Sequence, residues 1–331
     1  MAANRLLQHY VDNARRLPWR AMPGESAPDP YRVWLSEVML QQTTVAAVAP
    51  RFERFLSRWP TVETLAAARD EDVLSEWAGL GYYARARNLI ACARQVAARG
   101  GFPTTEEELR RLPGIGGYTS AAIAAIAFGK RALVMDTNVE RVVARLNGLE
   151  APVAESKAEL REFLDLMTPE QGAGDFAQAM MDLGATICRP RAPDCPACPL
   201  NSDCAAHASG EPERFPGAKP KTVRPTRHGI AYWTERNGCI WLIRRRAKGM
   251  LGGMAALPGP EWTDEPVAGP ALGRVTHVFT HFRLELGVLS APVPVGEGWW
   301  QPLDGLGEVG LPTLYRRAIE SVLSSRSALA A

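Results

Sequence analysis

Apolar residues recur at three- and four-residue spacing along the first two thirds of the chain, which is the pattern of amphipathic helices. Within residues 4–204 this spacing is clearest in five stretches that are rich in Ala, Leu and Arg. We therefore predict that this part of the chain is mainly α-helical. The five stretches are 61–77, 83–99, 118–128, 137–147 and 156–167.

Beyond residue 226 the pattern changes to runs typical of β-strands. Two pairs of strand-like segments are each joined by a short turn, and Asn237-Gly238 in the first pair favours a type I′ hairpin. A last helix is predicted after Pro312, so this part is predicted to be a small α+β domain. The segments are 229–235 with 239–246, 274–279 with 282–289 around Thr280-His281, and the helix at about 313–324.

Residues 205–226 lie between the two parts, are rich in Pro, Gly and basic residues and lack apolar periodicity, as linkers do. We therefore predict a helical domain over 1–204, a linker over 205–226 and a second domain over 227–331. No apolar run approaches the length of a membrane span, and the N-terminal residues lack the apolar core of a signal peptide. A cytoplasmic protein is expected. The net charge of +2 gives no indication of a nucleic-acid partner.

The cysteines indicate a metal centre. Four of the six fall in the segment 188–204 with the spacing C-x6-C-x2-C-x5-C, and without a secretory signal such a cluster favours metal binding over disulfides. Four thiolates can hold a [4Fe–4S] cluster or a tetrahedral zinc ion. Zinc sites usually pair two C-x2-C knuckles and this run has one, so an iron–sulfur cluster is favoured and zinc stays open. The candidate ligands are Cys188, Cys195, Cys198 and Cys204.

Residues 106–128 contain a helix, a Leu-Pro-Gly-Ile-Gly-Gly turn and a second, Ala-rich helix. The glycines, among them Gly114 and Gly116, let the chain turn tightly and expose backbone N–H groups where the second helix begins. That end of a helix favours an anion, so the turn suits one phosphate and reads no base sequence. The alternative is a turn that only packs two helices together.

Two acidic residues have surroundings that suit complementary chemistry. Glu37 lies on the largely apolar face of a predicted helix, one turn after Trp34, and desolvation there would raise its pKa to suit a general acid. Asp136 precedes a helix in which Thr137 and Glu140 have capping-box spacing, so the positive helix end would keep it ionised. Taken singly, each has a plainer explanation, a surface or capping role for Glu37 and helix stabilisation for Asp136. Together, an acid and an anion suit the cleavage of a glycosidic bond.

Four motifs occur in order ahead of the cysteine run: S-E-x-M-L-Q-Q-T from Ser36, G-L-G-Y-Y-x-R-A-R from Gly79, L-P-G-I-G-x-Y-T from Leu112 and V-M-D-x-N-V from Val134. In order and spacing they resemble the MutY-type adenine DNA glycosylases of the endonuclease III, or helix-hairpin-helix, superfamily. The resemblance covers about residues 15–204. It implies a mainly α, two-lobed glycosylase with its active cleft between the lobes and a [4Fe–4S] cluster on the four cysteines. It also implies a base-excision repair enzyme that removes adenine mispaired with 8-oxoguanine, or with guanine, in double-stranded DNA.

The resemblance assigns roles to individual residues. Glu37 would protonate N7 of adenine, Asp136 would stabilise the sugar cation, and Tyr118 and Asn138 would complete the catalytic pocket. Bifunctional members of the superfamily carry Lys at the position of Tyr118 and cut the strand through a Schiff base, so base removal without strand cleavage is predicted. The remaining roles would be lining the pocket for Trp19 and Arg20, and holding or wedging the opened duplex for Leu40, Gln42, Thr43 and Tyr82.

Residues 227–325 resemble, more loosely, the MutT-like, Nudix-fold domain of MutY proteins. The similarity lies in W-L-I-R-R-R from Trp241, G-G-M-A-A-L-P-G from Gly252 and H-V-F-T-H-F from His277. The sequence lacks the glutamate-rich helix that binds metal in Nudix hydrolases, so pyrophosphatase activity is not expected. In the family a Phe-Ser-His turn inspects 8-oxoguanine, and here the turn is Phe279, Thr280 and His281, in which threonine keeps the hydroxyl. A hairpin turn beside a core phenylalanine is the alternative.

Three other functions stay open at the level of sequence, one of them a zinc-stabilised helical DNA-binding domain, which the brown colour of an iron–sulfur protein would exclude. A thymine glycosylase that acts on G·T mismatches also has Tyr at the hairpin position, although it would not need a reader of 8-oxoguanine. A DNA-damage binding protein would keep the fold without catalysis, although it has no need of the paired acids Glu37 and Asp136.

Overall fold

The computed structural model describes residues 2–218, 224–246, 249–266, 269–307 and 309–330. The chain folds into two compact units. The first comprises residues 1–67 and 88–220, and the second comprises residues 68–87 and 221–331. The segment 68–87 therefore groups with the C-terminal part of the chain, which no pattern in the sequence indicates.

The first unit is helical, as the apolar spacing predicts. Two of the predicted stretches, 83–99 and 137–147, match observed helices to the residue. The stretch 61–77 instead forms two helices. The second of them begins at Asp70, because three consecutive acidic residues there favour the N-terminus of a helix. The α-helices of the described residues, of which α5, α13 and the start of α6 belong to the second unit, are α1 Ala2–Asn13, α2 Pro30–Leu40, α3 Val45–Arg58, α4 Val62–Ala66, α5 Asp70–Glu76, α6 Tyr83–Arg99, α7 Glu106–Leu109, α8 Gly117–Ile126, α9 Thr137–Asn147, α10 Lys157–Met167, α11 Ala173–Asp182, α12 Ala205–Ala208 and α13 Thr313–Ala330.

Helix α2 lies at the centre of the first unit. Nearly all of its residues from Tyr31 to Met39 are buried, and it packs against α3 and α8. The Asp29 side chain accepts a hydrogen bond of 2.7 Å from the Tyr31 N–H, and Pro30 occupies the first helical position, where a missing N–H costs nothing. A helix that is buried all round places any polar residue on it in an apolar environment.

Helices α8 and α11 approach each other closely because their facing residues are small. A Cβ atom at Gly174 would lie 2.6 Å from the carbonyl oxygen of Ala125, so only glycine fits there. After α11 the chain continues as one turn of π-helix over Leu183–Ile187. Such turns often occur at functional sites.

The second unit contains two small sheets, with α13 packed against one of them. In the first sheet β6 lies in the middle, parallel to β1 and antiparallel to β5. In the second sheet β3 is central and pairs antiparallel with β2, β4 and β7. The strands are β1 Thr226–Trp233, β2 Glu235–Arg236, β3 Cys239–Arg244, β4 Ala255–Ala256, β5 Gly273–Val278, β6 Arg283–Ser290 and β7 Gly298–Pro302.

One of the two predicted strand pairs is confirmed, and the other is confirmed only in part. The pair around Thr280-His281 is confirmed as β5 and β6. The turn at Asn237-Gly238 is also confirmed, since both residues have the positive φ of a type I′ turn, 49° and 72°. The prediction that all of 229–235 pairs across this turn is wrong: only β2 does so, and β1 pairs with β6 because its inner residues, such as Trp233, complete the core there.

The predicted linker, 205–226, is only partly described. Its first residues form α12 and a turn of 3-10 helix over Pro212–Arg214, and they pack within the first unit. Residues 219–223 lie outside the described residues, so the boundaries 1–204, 205–226 and 227–331 stay a prediction. In the described part of the chain, no helix combines the length and apolar character needed to cross a membrane.

Candidate active site

A cavity of about 660 Å³ in the first unit contains both predicted acids. Glu37 reaches it from α2, Tyr118 from the first turn of α8, and Asp136 from the start of α9. These residues are far apart in the sequence, so the packing of α2 against α8 and the loop before α9 brings them together. The other predicted site residues that line the cavity are Trp19, Arg20, Leu40, Gln42, Thr43 and Asn138.

Glu37 is 7% exposed, although it carries a carboxyl group. Burial raises its pKa to about 7 from the ordinary value of 4.5, and the negative charge of Asp136 acts in the same direction. A hydrogen bond from the Tyr118 hydroxyl and the positive charge of Arg20 act in the opposite direction and do not cancel the effect of burial. The protonated form of Glu37 is therefore favoured to a much higher pH than for an exposed glutamate.

Asp136 caps the N-terminus of α9. One carboxylate oxygen accepts a hydrogen bond of 2.7 Å from the Val139 N–H, and the other accepts one of 3.0 Å from the Asn138 side-chain amide. The capping-box pattern placed the cap at Thr137, one residue too late, because the Asp136 side chain itself reaches the backbone N–H of the third helical residue. The Asp136 side chain therefore lies at the positive end of the α9 dipole, with one hydrogen-bond donor on each oxygen.

Tyr118 stands between the two acids. Burial raises the pKa of Tyr118 well above its ordinary value, and the negative charges of Glu37 and Asp136 add to that rise. Its hydroxyl is therefore a donor, and it donates to Glu37, with the sulfur of Met181 3.9 Å away. Because the hydroxyl stays protonated, Tyr118 can orient the Glu37 carboxyl group without competing for its proton.

One wall of the cavity contains an ion-pair cluster that the sequence did not indicate. Asp182 accepts a hydrogen bond of 2.7 Å from Arg20 and forms an ion pair of 2.6 Å with Arg15. Trp19 packs beside it, edge to face on Phe52. Asp182 thereby fixes the guanidinium of Arg20, a predicted pocket residue, facing the acids. Arg15 and Asp182 are 167 residues apart, and no local pattern links them.

A second missed group holds Asn138 in place. The Asn138 side-chain oxygen accepts a hydrogen bond of 2.9 Å from Arg141, which also donates to the carbonyl oxygens of Gly184 and Cys188. A Cβ at Gly184 would lie 2.7 Å from that of Asn138, so glycine is needed in the π-helical turn. Arg141 is three residues after Asn138 in α9, a spacing that would have been a usable signal that the two side chains share a helix face.

The glycine-rich turn before α8 has the geometry expected of an anion-binding turn. Gly114 has a φ of 74°, which favours glycine, and a Cβ there would meet that of Asn88 at 2.7 Å. Helix α8 then begins after Gly116, and within the described residues no side chain caps it. Within the described residues, the start of α8 therefore has no side-chain capping hydrogen bond to its backbone N–H groups.

Leu40, Gln42 and Thr43 form the rim of the cavity where α2 ends. Gln42 has a φ of 56°, unusual for a residue with a side chain, and its side chain is exposed. Such strain occurs mostly at functional positions. The three residues thus occupy the surface beside the mouth of the cavity.

Four predicted site residues belong to the second unit and line a different cavity, of about 490 Å³: Tyr82, Phe279, Thr280 and His281. The Phe279 ring packs between Trp262 and Phe282, so the turn is anchored in the core as the plainer alternative supposed. Thr280 and His281 point outwards and are exposed. The hydroxyl of Tyr82 lies 3.1 Å from that of Thr280, within hydrogen-bonding distance.

The four clustered cysteines line one small cavity in the first unit. Burial raises the pKa of the Cys198 thiol to about 11, and the neighbouring thiols add to the rise. Arg145 donates a hydrogen bond of 3.4 Å to the Cys188 sulfur. Over the described ranges, no group of three or more His, Cys, Asp or Glu side chains is arranged to hold a metal ion. The four thiols thus share one cavity without forming a ready single-ion site.

Family comparisons agree with this architecture. Residues 35–168 match the model of the HhH-GPD superfamily of base excision DNA repair proteins, and residues 229–321 match the model of the Nudix domain. The adenine DNA glycosylase of Rattus norvegicus is 42% identical over 86% of this chain and 69% of its own length. That of Arabidopsis thaliana is 33% identical over 86% of this chain, which spans 56% of the plant protein. That of Mycolicibacterium smegmatis is 42% identical over 62% of this chain and 70% of its own length.

Solved structures show the same fold for the helical part. A thermostable thymine-DNA glycosylase has a TM-score of 0.55 at 28% identity, covering 62% of this chain and 95% of the other. A non-covalent complex of endonuclease III with DNA has a TM-score of 0.53 at 25% identity, covering 63% and 94%. The helical glycosylase fold and the Nudix-like second domain predicted from the sequence are therefore confirmed, and the chain belongs to the adenine DNA glycosylases of the HhH-GPD superfamily of base excision DNA repair enzymes.

Proposed function

We propose that this chain hydrolyses the N-glycosidic bond of adenine paired with 8-oxoguanine, or with guanine, in double-stranded DNA and leaves the DNA strand uncut. The observation that carries the proposal is the cavity in which a buried Glu37, with a pKa of about 7, faces the helix-capping Asp136. A volume of about 660 Å³ is in the range of small-molecule sites and suits an extruded nucleoside.

In the proposed mechanism the bond between the sugar C1′ and adenine N9 breaks, and its electron pair moves onto the purine. Glu37 donates its proton to adenine N7, so the base leaves without a full negative charge. Asp136 stabilises the positive charge that develops on the sugar, until water adds to C1′ and gives its proton to the Glu37 carboxylate, which restores the acid. Tyr118 orients Glu37, Asn138 holds Asp136, and Trp19 and Arg20 line the pocket for the base.

Base release without strand cleavage is part of the proposal. Strand cleavage in this superfamily uses an amine that attacks the sugar, and the position concerned is Tyr118, whose hydroxyl stays protonated. The nearest lysine in the sequence is Lys130, near the far end of α8. We therefore expect an abasic site as the product.

The proposed DNA contacts are of three kinds. The N-terminus of α8, with Gly114 and Gly116 before it, would bind one backbone phosphate through N–H groups. Tyr82 would wedge into the opened duplex, since it is half exposed, while the outward-facing Thr280 would read 8-oxoguanine. The other residues proposed to contact the DNA are Leu40, Gln42, Thr43, Phe279 and His281.

We further propose that Cys188, Cys195, Cys198 and Cys204 bind a [4Fe–4S] cluster. A zinc ion with Zn–S bonds of about 2.3 Å would draw four sulfurs into a tight tetrahedron. The four thiols share one cavity, and their sequence spacing has a single C-x2-C pair where zinc sites usually have two, which favours the cluster. The cluster would order the loop 188–204 and takes no part in the hydrolysis. The substrate also implies that the protein works at the chromosome, in the cytoplasm.

Single-turnover base release from matched duplexes containing A·8-oxoG, A·G, T·G and A·T, analysed with and without alkali, tests the proposal. We expect adenine release to be fastest opposite 8-oxoguanine, with strand breaks only after alkali. Thymine release from T·G would instead assign the chain the activity named for the structurally similar thymine-DNA glycosylase. Tight binding to A·8-oxoG without release of any base would indicate a damage-binding protein.

A further inference from the structure

The segment around Tyr82 is held in a strained conformation. Tyr82 has a φ of 46°, in the left-handed region that is strained for an aromatic residue, and its side chain is 52% exposed. An exposed ring on a strained backbone keeps one orientation only if neighbouring groups hold it. Gly81, which has a φ of 70°, accepts a hydrogen bond of 2.9 Å from the Trp77 indole N–H, so the loop is tied back at its base.

Arg85 contacts three residues of this segment, Trp77, Leu80 and Tyr82. Its guanidinium lies over the Trp77 ring, at 5.3 Å from the ring centre, and over the Tyr82 ring, at 5.4 Å. It also donates a hydrogen bond of 3.0 Å to the Leu80 carbonyl, and its backbone N–H donates one of 2.8 Å to the Tyr82 carbonyl. One side chain thus joins the buried Trp77, the loop backbone and the face of Tyr82.

We propose that Arg85 is the positioning residue for Tyr82, which fixes the angle at which that ring enters the duplex; this inference rests on the wedging role in the proposed function. A cation over an aromatic face is attracted by it most strongly where water is excluded, and a planar guanidinium can cover two rings at once. Lysine cannot do so, because its ammonium is a point charge.

The surroundings of Arg85 favour this role over that of a phosphate ligand. The guanidinium is directed into the loop, towards Leu80 and Trp77, rather than outwards. Burial lowers the pKa of Arg85 to about 10, so the side chain still carries its charge at neutral pH. The neighbouring Arg87 is also engaged, through a hydrogen bond of 2.5 Å to the carbonyl of Gly252.

The test is a double-mutant cycle on the full-length protein with Arg85→Gln, Tyr82→Leu and the double variant. Two quantities are measured on a duplex containing A·8-oxoG: the single-turnover rate of adenine release, and the fluorescence of 2-aminopurine placed beside 8-oxoguanine, which reports stacking. Arg69→Gln is the matched control, because it removes one positive charge from the same segment and Arg69 pairs with Asp72, three residues away, at 3.0 Å.

We expect Arg85→Gln to slow adenine release by roughly tenfold and to reduce the stacking signal, the size expected of a partly buried cation–π contact. In the Tyr82→Leu background it should have no further effect, because Arg85 acts through that ring. Arg69→Gln should match the wild type. Arg85→Lys, which keeps the charge, should recover less than half of the lost stacking signal.

An effect of Arg85→Gln that persists in the Tyr82→Leu background, together with a shallower salt dependence of DNA binding, would overturn the proposal in favour of a phosphate contact. The proposal would also be overturned if Arg85→Gln had the same rate of adenine release and the same stacking signal as the wild type. Circular dichroism and melting establish that each variant is folded, and if Arg85→Gln unfolds, Arg85→Lys takes its place in the cycle. A wild-type protein that releases no adenine contradicts the proposed function alone, since the 2-aminopurine signal still tests Arg85.

Discussion

At the scale of single residues, Glu37 acquires its chemistry from its position. It lies in a helix that is buried all round, so its carboxyl group loses water and its pKa rises to about 7. A carboxylic acid with that pKa is protonated below pH 7 and ionised above it. The protonated form of Glu37, the form that the proposed general acid needs, is therefore present on the acidic side of neutrality and is lost as the pH rises.

The first prediction concerns the pH dependence of catalysis. The single-turnover rate of adenine release should be level below a pH of about 7 and fall tenfold for each unit above it, following the pKa of Glu37. Glu37→Gln should remove both the activity and this basic limb. Rates measured across neutral pH on an A·8-oxoG duplex check the prediction, and a rate that increases above pH 7 would contradict it.

The second prediction concerns stability. Because the pKa of Glu37 is raised in the folded state, its contribution to stability is fully present below its unfolded pKa of 4.5 and is lost as the pH rises through about 7. The rise corresponds to about 3 kcal/mol. The free energy of unfolding of the wild type should therefore fall by about 3 kcal/mol between acidic and mildly alkaline pH on account of Glu37. Glu37→Gln has no such loss, so its stability relative to the wild type should increase by about 3 kcal/mol over the same pH range. Urea denaturation at both pH values measures the difference, which should not appear for Glu107→Gln on the exposed α7.

The third prediction concerns Thr280, whose hydroxyl lies 3.1 Å from that of Tyr82. Thr280→Val keeps the shape and removes the hydroxyl, so the preference for A·8-oxoG over A·G should fall by about two- to tenfold, the worth of one hydrogen bond. Thr280→Ser keeps the hydroxyl and should retain the preference. The ratio of single-turnover rates on the two duplexes is the measurement. An unchanged ratio in Thr280→Val would show that the hydroxyl does not read the opposite base.

At the scale of elements, the turn before α8 combines two demands that only glycine meets. Gly114 has a positive φ, and its missing side chain leaves room for Asn88. Gly116 has an ordinary φ of −91° and open space around it. The two glycines of one motif therefore differ in what they contribute to folding.

The fourth prediction follows from that difference. Gly114→Ala should lower the free energy of unfolding by about 1–3 kcal/mol, because alanine is strained at that φ and its Cβ would lie 2.7 Å from that of Asn88. Gly116→Ala should change stability by less than about 0.5 kcal/mol. Thermal or urea unfolding of the two variants provides the comparison. Equal losses would mean that the turn does not depend on the geometry at Gly114.

At the scale of the whole molecule, the two units should depend differently on the proposed cluster. The four cysteines all lie in the first unit, within reach of Arg145, whereas Cys239 lies on β3 of the second unit. A cluster that orders the loop 188–204 would therefore stabilise the first unit, because ligands bound by the folded state alone add to its stability.

The fifth prediction is that the purified protein contains iron and that Cys198→Ala loses it, together with the visible absorption of an iron–sulfur cluster. The unfolding transition of the first unit should shift to lower temperature, while that of the second unit stays in place. Metal analysis, absorption spectra and calorimetry measure these effects, with Cys239→Ala as the control. Zinc in place of iron would show the cluster assignment to be wrong.

Local patterns predicted much of the fold. Helices 83–99 and 137–147 and the turn at Asn237-Gly238 follow from apolar spacing and backbone preference, which act over a few residues. Local patterns could not predict the partner of β1, because its parallel pairing with β6 joins segments more than fifty residues apart. They also could not predict that residues 68–87 group with the C-terminal part of the chain, because that grouping depends on packing.

The candidate site divides in the same way. The sequence by itself determined the family, because the residue types and spacings of the motifs are specific in combination, and it singled out the two acids and the four cysteines as candidates. Only the tertiary structure decided that Glu37 is desolvated, that Asp182 holds Arg20 in the cavity wall and that Arg85 lies over Tyr82. Burial and long-range contacts set pKa values and side-chain orientation, and both arise from residues distant in the chain, which a local pattern does not encode.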